Sequence, residues 1–160
     1  MADWTIIGVG NPLRGDDGVG PKLIQALRQH DGPSLELIDG GSDALGILEY
    51  LEGRSRVCIV DACRMGLSPG AVRMFEPQDA TAVMAPDQIS LHGLGLAEAL
   101  NMASALQMLP HELKIIGIEP QTIQFNGELS EPVQQGLKTA MDLILTLPID
   151  QQVMAGTPDH

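Results

Sequence analysis

Apolar residues along the chain fall into two textures: short unbroken runs, and longer stretches where they recur every three or four positions. The runs are TIIGV from Thr5 to Val9, VCIV from Val57 to Val60 and IIGI from Ile115 to Ile118. Runs of this length without alternation are the pattern of strands covered on both faces of a parallel sheet. Leu35 to Ile38 is a shorter strand candidate. Ala71 to Phe75 does alternate and carries Arg73, which places it at a sheet edge, where antiparallel pairing is open to it.

Between the runs the period is helical. Val19, Leu23, Ala26 and Leu27 share a face, and Asp31-Gly32-Pro33 is the stop signal that follows. Ala44, Ile47, Leu48 and Leu51 predict a second helix with Ser42 or Asp43 as its cap. Leu96, Leu100, Ala103 and Leu106 predict a third. The clearest is Val133, Leu137, Ala140, Met141 and Ile144, with Ser130 as cap and Pro148 as stop. Strands alternating with helices predict an α/β fold, a three-layer α/β/α sandwich. Its sheet is mostly parallel, with about five strands including the antiparallel edge. Residues 1–148 form one domain on this reading, and 149–160 a polar tail without period.

At 160 residues such a domain buries roughly two-thirds of its unfolded surface. Aromatics are only 2%, so the core must come from Leu, Ile, Val, Ala and the eight Met residues as fillers. The net charge of −12 argues against nucleic acid and anionic membranes as partners. No apolar run approaches the ~20 residues of a membrane span, and no signal-peptide pattern opens the chain, so a cytoplasmic location is expected. Cys58 and Cys63 are five positions apart, which is neither a metal nor a redox spacing.

Open parallel sheets bind ligands beyond the carboxyl ends of their strands. Here every predicted parallel strand is followed there by an acid: Asp16 and Asp17, then Asp39, Asp61 and Glu119. Singly, each has an ordinary explanation as a helix cap, a turn residue or a solvated loop. Asp61 is the exception, since it ends the most apolar strand with no Gly, Pro or Ser after it. Converging carboxylates repel unless a cation sits among them, so a metal ion or a basic substrate is expected at this rim.

The glycine-rich stretch GVGNPLRGDDGVG at residues 8–20 suggests a nucleotide loop, but it fails both patterns. Leu13 stands where the dinucleotide motif needs glycine, and Asp16 where the P-loop needs lysine. Two aspartates at its mouth would repel phosphate. His92, in the glycine-flanked ISLHGLGL of residues 89–96, is either a structural residue near a helix start or the imidazole that a borderline-soft metal takes beside carboxylates.

The stretch at residues 8–20, DGGS at 39–42, IVDA at 59–62, SLHGLGL at 90–96 and IGIEP at 116–120 together resemble the hydrogenase maturation protease family. The resemblance runs in order from the first strand to about Leu147. It implies metal contacts at Asp17, Asp61 and His92, with Asp39 and Asp16 as their neighbours. Asp17 stands where some members carry Glu, which shortens the arm by one methylene and keeps the charge.

By that resemblance the substrate is the precursor large subunit of a nickel-iron hydrogenase, loaded with nickel. The enzyme is an endopeptidase, grouped as aspartic-type, that detects the nickel and removes a C-terminal extension, activating the hydrogenase. The nickel belongs to the substrate, and the protease is expected as a monomer. No Ser-His-Asp or Cys-His arrangement is legible, so metal-assisted attack with Asp17 or Asp61 assisting is preferred to a covalent route. The rival is a non-catalytic nickel checkpoint or chaperone docking on the precursor with the same ligands. A self-contained metallopeptidase is disfavoured, because the chain has no His-Glu-x-x-His motif.

Overall fold

The computed structural model describes residues 3–30, 32, 34–84, 95–121 and 127–148. Five strands form one sheet: β1 (Trp4–Gly8), β2 (Leu35–Asp39), β3 (Arg56–Ala62), β4 (Val72–Phe75) and β5 (Glu112–Ile118). Their spatial order is β2-β1-β3-β5-β4, with all neighbours parallel except β4, which runs antiparallel to β5 at the edge. Five α-helical segments accompany them: α1 (Val19–Arg28), α2 (Leu48–Leu51), α3 (Ala80–Val83), α4 (Leu96–Ala105) and α5 (Glu131–Leu145).

The unbroken apolar runs are explained by the two faces of the sheet. Ile6, Cys58, Val60, Ile116 and Ile118 pack with α1 and α5 on one side. Their neighbours Ile7, Val57, Ile59, Leu113 and Ile115 pack with α4 and the helical segments at 44–51 and 80–84 on the other. The central strands β1, β3 and β5 therefore bury both alternating sets, and their apolar runs leave no polar face to show a period of two.

Local chemistry sets the helix ends. Asp43 caps the second helical segment, its Oδ1 accepting from Leu45 N–H at 3.0 Å, and the segment enters as a 3-10 turn at Ala44–Ile47 before becoming α2. Helix α1 stops at Arg28, ahead of the predicted breaker, whose Asp31 and Pro33 lie outside the described residues. Leu106, predicted on the buried face of α4, instead lies one residue past its end and is 57% exposed. The short α3 carries no periodic pattern and was not foreseen. Ser130 occupies the cap position of α5 but makes no cap bond to that helix, because its hydroxyl is directed elsewhere, as described below.

Strand order reverses between β1 and β3: β1 continues through α1 to β2 on one side, while β3 leads toward β5 on the other. Helix α1 begins directly over this switch point. A Cβ on Gly20 would lie 2.4 Å from Val9 O and 2.7 Å from Val60 O, so only glycine lets the helix start so close to both strand ends. Val9 N–H donates to Val60 O at 2.9 Å, closing the seam beneath it.

Candidate active site

The switch point is where this sheet class places ligands, and two of the predicted acids meet there. Asp17 sits half-buried in the 3-10 turn Gly15–Gly18 between β1 and α1, and Asp61 is the penultimate residue of β3. The Asp17 carboxylate holds its own loop in shape, accepting from Asn11 N–H at 3.0 Å, while Asp17 N–H donates to Arg14 O at 3.1 Å. Loss of water around the Asp61 carboxyl pushes its pKa well above the usual carboxylate range. The negative charge of Asp17 pushes it further, against a smaller pull from the Ala62 backbone N–H. A desolvated carboxyl that a neighbouring carboxylate keeps from ionising is a place where a cation is favourable.

The other rim acids have different duties. Asp16 is fully buried and points away from the switch point: its carboxylate accepts from Gln121 N–H at 2.8 Å, Ser130 N–H at 2.7 Å and Ser130 Oγ at 2.8 Å. It thus ties the turn that carries Asp17 to the start of α5. Glu119, expected as a metal-facing acid or a solvated loop residue, is 6% exposed. Its Oε1 accepts from Met65 N–H at 2.7 Å and Leu67 N–H at 3.2 Å, pinning the loop after β3. Asp39 is exposed and performs turn chemistry, accepting from Gly41 N–H at 3.0 Å and so stabilising the φ of +78° at Gly41. That turn reaches the site through backbone, since Gly10 N–H donates to Gly41 O at 2.9 Å.

His92 lies in the segment 85–94, outside the described residues. Among the described residues no three of His, Cys, Asp and Glu gather as a metal-holding group. Of the predicted ligand set, Asp17 and Asp61 are the described members, and the charge of Asp17 acts on the Asp61 carboxyl. Cys63, two residues beyond Asp61, is buried, and desolvation together with the charges of Asp61 and Glu119 pushes its thiol well up. Cys58 is raised to about 12 by burial among apolar side chains. Neither thiol is poised to form the thiolate that nucleophilic catalysis needs.

The anchoring duties of Asp16 and Glu119 were not legible in the sequence. Their partners lie 105 and 114 residues away for Asp16 and 54 and 52 for Glu119, far beyond any local motif.

Fold and site together define a class: an α/β protein with acidic residues gathered at the carboxyl rim of a mostly parallel sheet. Within that class, the family described as hydrogenase maturation protease matches residues 21–147, and the chain belongs to that family. It is 29% identical over 159 residues to a hydrogenase expression/formation protein, HoxM, of Azotobacter vinelandii, covering 96% of this chain and 76% of that one. It is 27% identical to the hydrogenase 2 maturation protease of Escherichia coli, covering 88% and 87%. Among solved structures it resembles the hydrogenase maturating endopeptidase HybD of E. coli with a TM-score of 0.77 and 26% identity, covering 98% of this chain and 94% of that one. The [NiFe] hydrogenase maturation protease HybD of Thermococcus kodakarensis superposes with a TM-score of 0.69 at 27% identity, covering 90% and 97%. The protein is a hydrogenase maturation endopeptidase, so the checkpoint reading without catalysis is set aside. No helix among the described residues is long and apolar enough to cross a membrane.

Proposed function

We propose that this endopeptidase recognises nickel in the precursor large subunit of a nickel-iron hydrogenase and removes the precursor's C-terminal extension. Asp17, Asp61 and His92 contact the nickel, which is part of the substrate. Asp17 and Asp61 also serve the hydrolysis. The observation that carries this reading is the Asp17–Asp61 pair, whose mutual repulsion and desolvation are relieved when a cation arrives. A protein that must share a metal with its substrate needs a partial ligand set with open positions, and two carboxylates with one imidazole provide that.

Chemically, the substrate's metal polarises the scissile carbonyl or a water. Water adds to the carbonyl carbon while the carboxylate of Asp17 or Asp61 takes its proton, and the C–N bond breaks as the peptide nitrogen leaves with that proton. With both thiols buried and raised, hydrolysis by water is the simpler route.

The test is a cleavage time course on precursor prepared with and without nickel. Nickel-free precursor is expected to remain whole at any enzyme concentration. His92→Ala should weaken binding of the loaded precursor and lower turnover by more than ~100-fold. Asp39→Asn, which acts only through its turn, should fall within roughly the 10–100-fold range of changes beside a metal site. Equal cleavage of nickel-free precursor overturns the metal-reading proposal.

A further inference from the structure

Two of the exposed large apolar residues stand at the same rim as the Asp17–Asp61 pair. Leu13 is 67% exposed in the loop after β1, and Leu67 is 37% exposed in the loop after β3. Single exposed leucines are ordinary on protein surfaces. These two differ in how they are held. Leu13 N–H donates to Asn11 Oδ1 at 2.9 Å, and Asn11 N–H is in turn held by Asp17. Leu67 N–H donates to the buried Glu119 carboxylate at 3.2 Å, alongside Met65 N–H. In each loop a side chain grips the backbone amide of the exposed leucine itself.

Position adds a second argument. In the sheet order β1-β3-β5, Leu13 belongs to the loop leaving β1, Asp61 ends β3, and Leu67 is tied to Glu119 just past β5. Along the sheet Asp61 therefore lies between two leucines on held backbone, and Asp17 shares the loop of Leu13. The exposed surface of an apolar side chain on a pinned loop, most of Leu13 and about a third of Leu67, gains nothing for the fold. It gains when a partner covers it, and the pinned backbone lowers the ordering cost of that step.

We infer that Leu13 and Leu67 are the apolar contacts by which the enzyme holds the precursor's polypeptide on either side of the Asp17–Asp61 site. The recognised chemistry is aliphatic side chains on the substrate beside the cleaved region. The inference rests on the proposed function, in which a folded precursor is presented to this rim, and it adds the residues that set affinity apart from the metal.

The experiment compares KM and kcat for wild type, Leu13→Ser, Leu67→Ser, Leu13→Met, Leu67→Met and Leu106→Ser on one nickel-loaded precursor preparation. Each serine variant is expected to raise KM about ten-fold or more, with kcat within about two-fold of wild type, since burying a leucine side chain accounts for an effect of that size. The methionine variants should restore KM. Leu106→Ser, at the far end of α4, should change nothing. Melting temperatures of all five should match wild type, because the sites are exposed. Unchanged KM in both serine variants overturns the inference, and so does a fall in kcat with KM unmoved or an equal effect from Leu106→Ser. Cleavage of nickel-free precursor by wild type would overturn only the metal-reading proposal. The leucine comparison then proceeds on that precursor.

Discussion

Asp16 and Asp17 are adjacent and chemically identical, yet the structure gives them opposite work. Asp16 is buried and accepts from Gln121 and Ser130, whereas Asp17 accepts from the Asn11 amide of its own loop and its charge acts on Asp61. Asp16→Ala should cost about 3 kcal/mol, since buried donors lose a charged acceptor, and lower the melting temperature by on the order of 10 °C. Asp17→Ala should cost about 1 kcal/mol and abolish processing. Thermal melts of the two variants check this; equal destabilisation would refute the division. Asp61 should behave differently again. Its folded-state pKa is raised, so the native state binds a proton that the unfolded chain has already lost. Stability is then greatest below the ordinary carboxylate value of 3.8 and declines as pH rises toward the raised value. Asp61→Asn removes that penalty. The variant should melt at or above wild type at neutral pH, with an advantage that shrinks in acid, and should not process precursor. A large loss of stability at neutral pH would make Asp61 a structural residue.

The glycines that bring elements together act at the next scale. Helix α1 starts at the seam of β1 and β3 because Gly20 has no side chain there, and Gly8 faces it with Gly20 O 2.4 Å from where its own Cβ would be. Gly20→Ala should push α1 off the strand ends, since the atoms it would strike are backbone carbonyls that cannot turn aside. A loss of more than about 3 kcal/mol in denaturant unfolding is expected, against the 0.4–1 kcal/mol gain that Gly→Ala gives at an unstrained site. Any stabilisation by this substitution would contradict the packing described. The helical signals themselves transferred well for α1, α4 and α5, whose buried positions largely follow the predicted stripes, Leu106 beyond α4 being the exception. Ser130 was foreseen as a cap by residue type. Its hydroxyl instead meets Asp16, because a buried carboxylate from another element offers a stronger acceptor than the helix offers a donor.

Over the whole molecule, described loops at the carboxyl rim are joined into one platform by side chain to backbone bonds. Asp16 links the first turn to α5, Glu119 holds the loop after β3, and the turn of Asp39 meets Gly10 through Gly41. At the side of the sheet, the Trp4 indole N–H donates to Pro148 O at 2.7 Å, fastening the first strand to the residues after α5. The proposed catalytic pair on such a platform is preorganised, so the approach of the precursor need not reshape it.

The α/β class, the parallel order of the central strands and the antiparallel edge were determined by the sequence alone. Those features follow from local periodicity, and a strand covered on both faces cannot be written any other way in apolar residues. The acid at each strand end was equally legible, because topology alone sends every one of them to the same rim. Tertiary structure decided which acids would work together. Asp61 and Asp17 meet at the switch point, while Asp16 and Glu119 turn away to partners 52 to 114 residues distant. A carboxylate has the same composition whether it faces a cation or a row of backbone amides. Its role is set by which donors the fold brings within about 3 Å, and that depends on contacts between segments far apart in the chain.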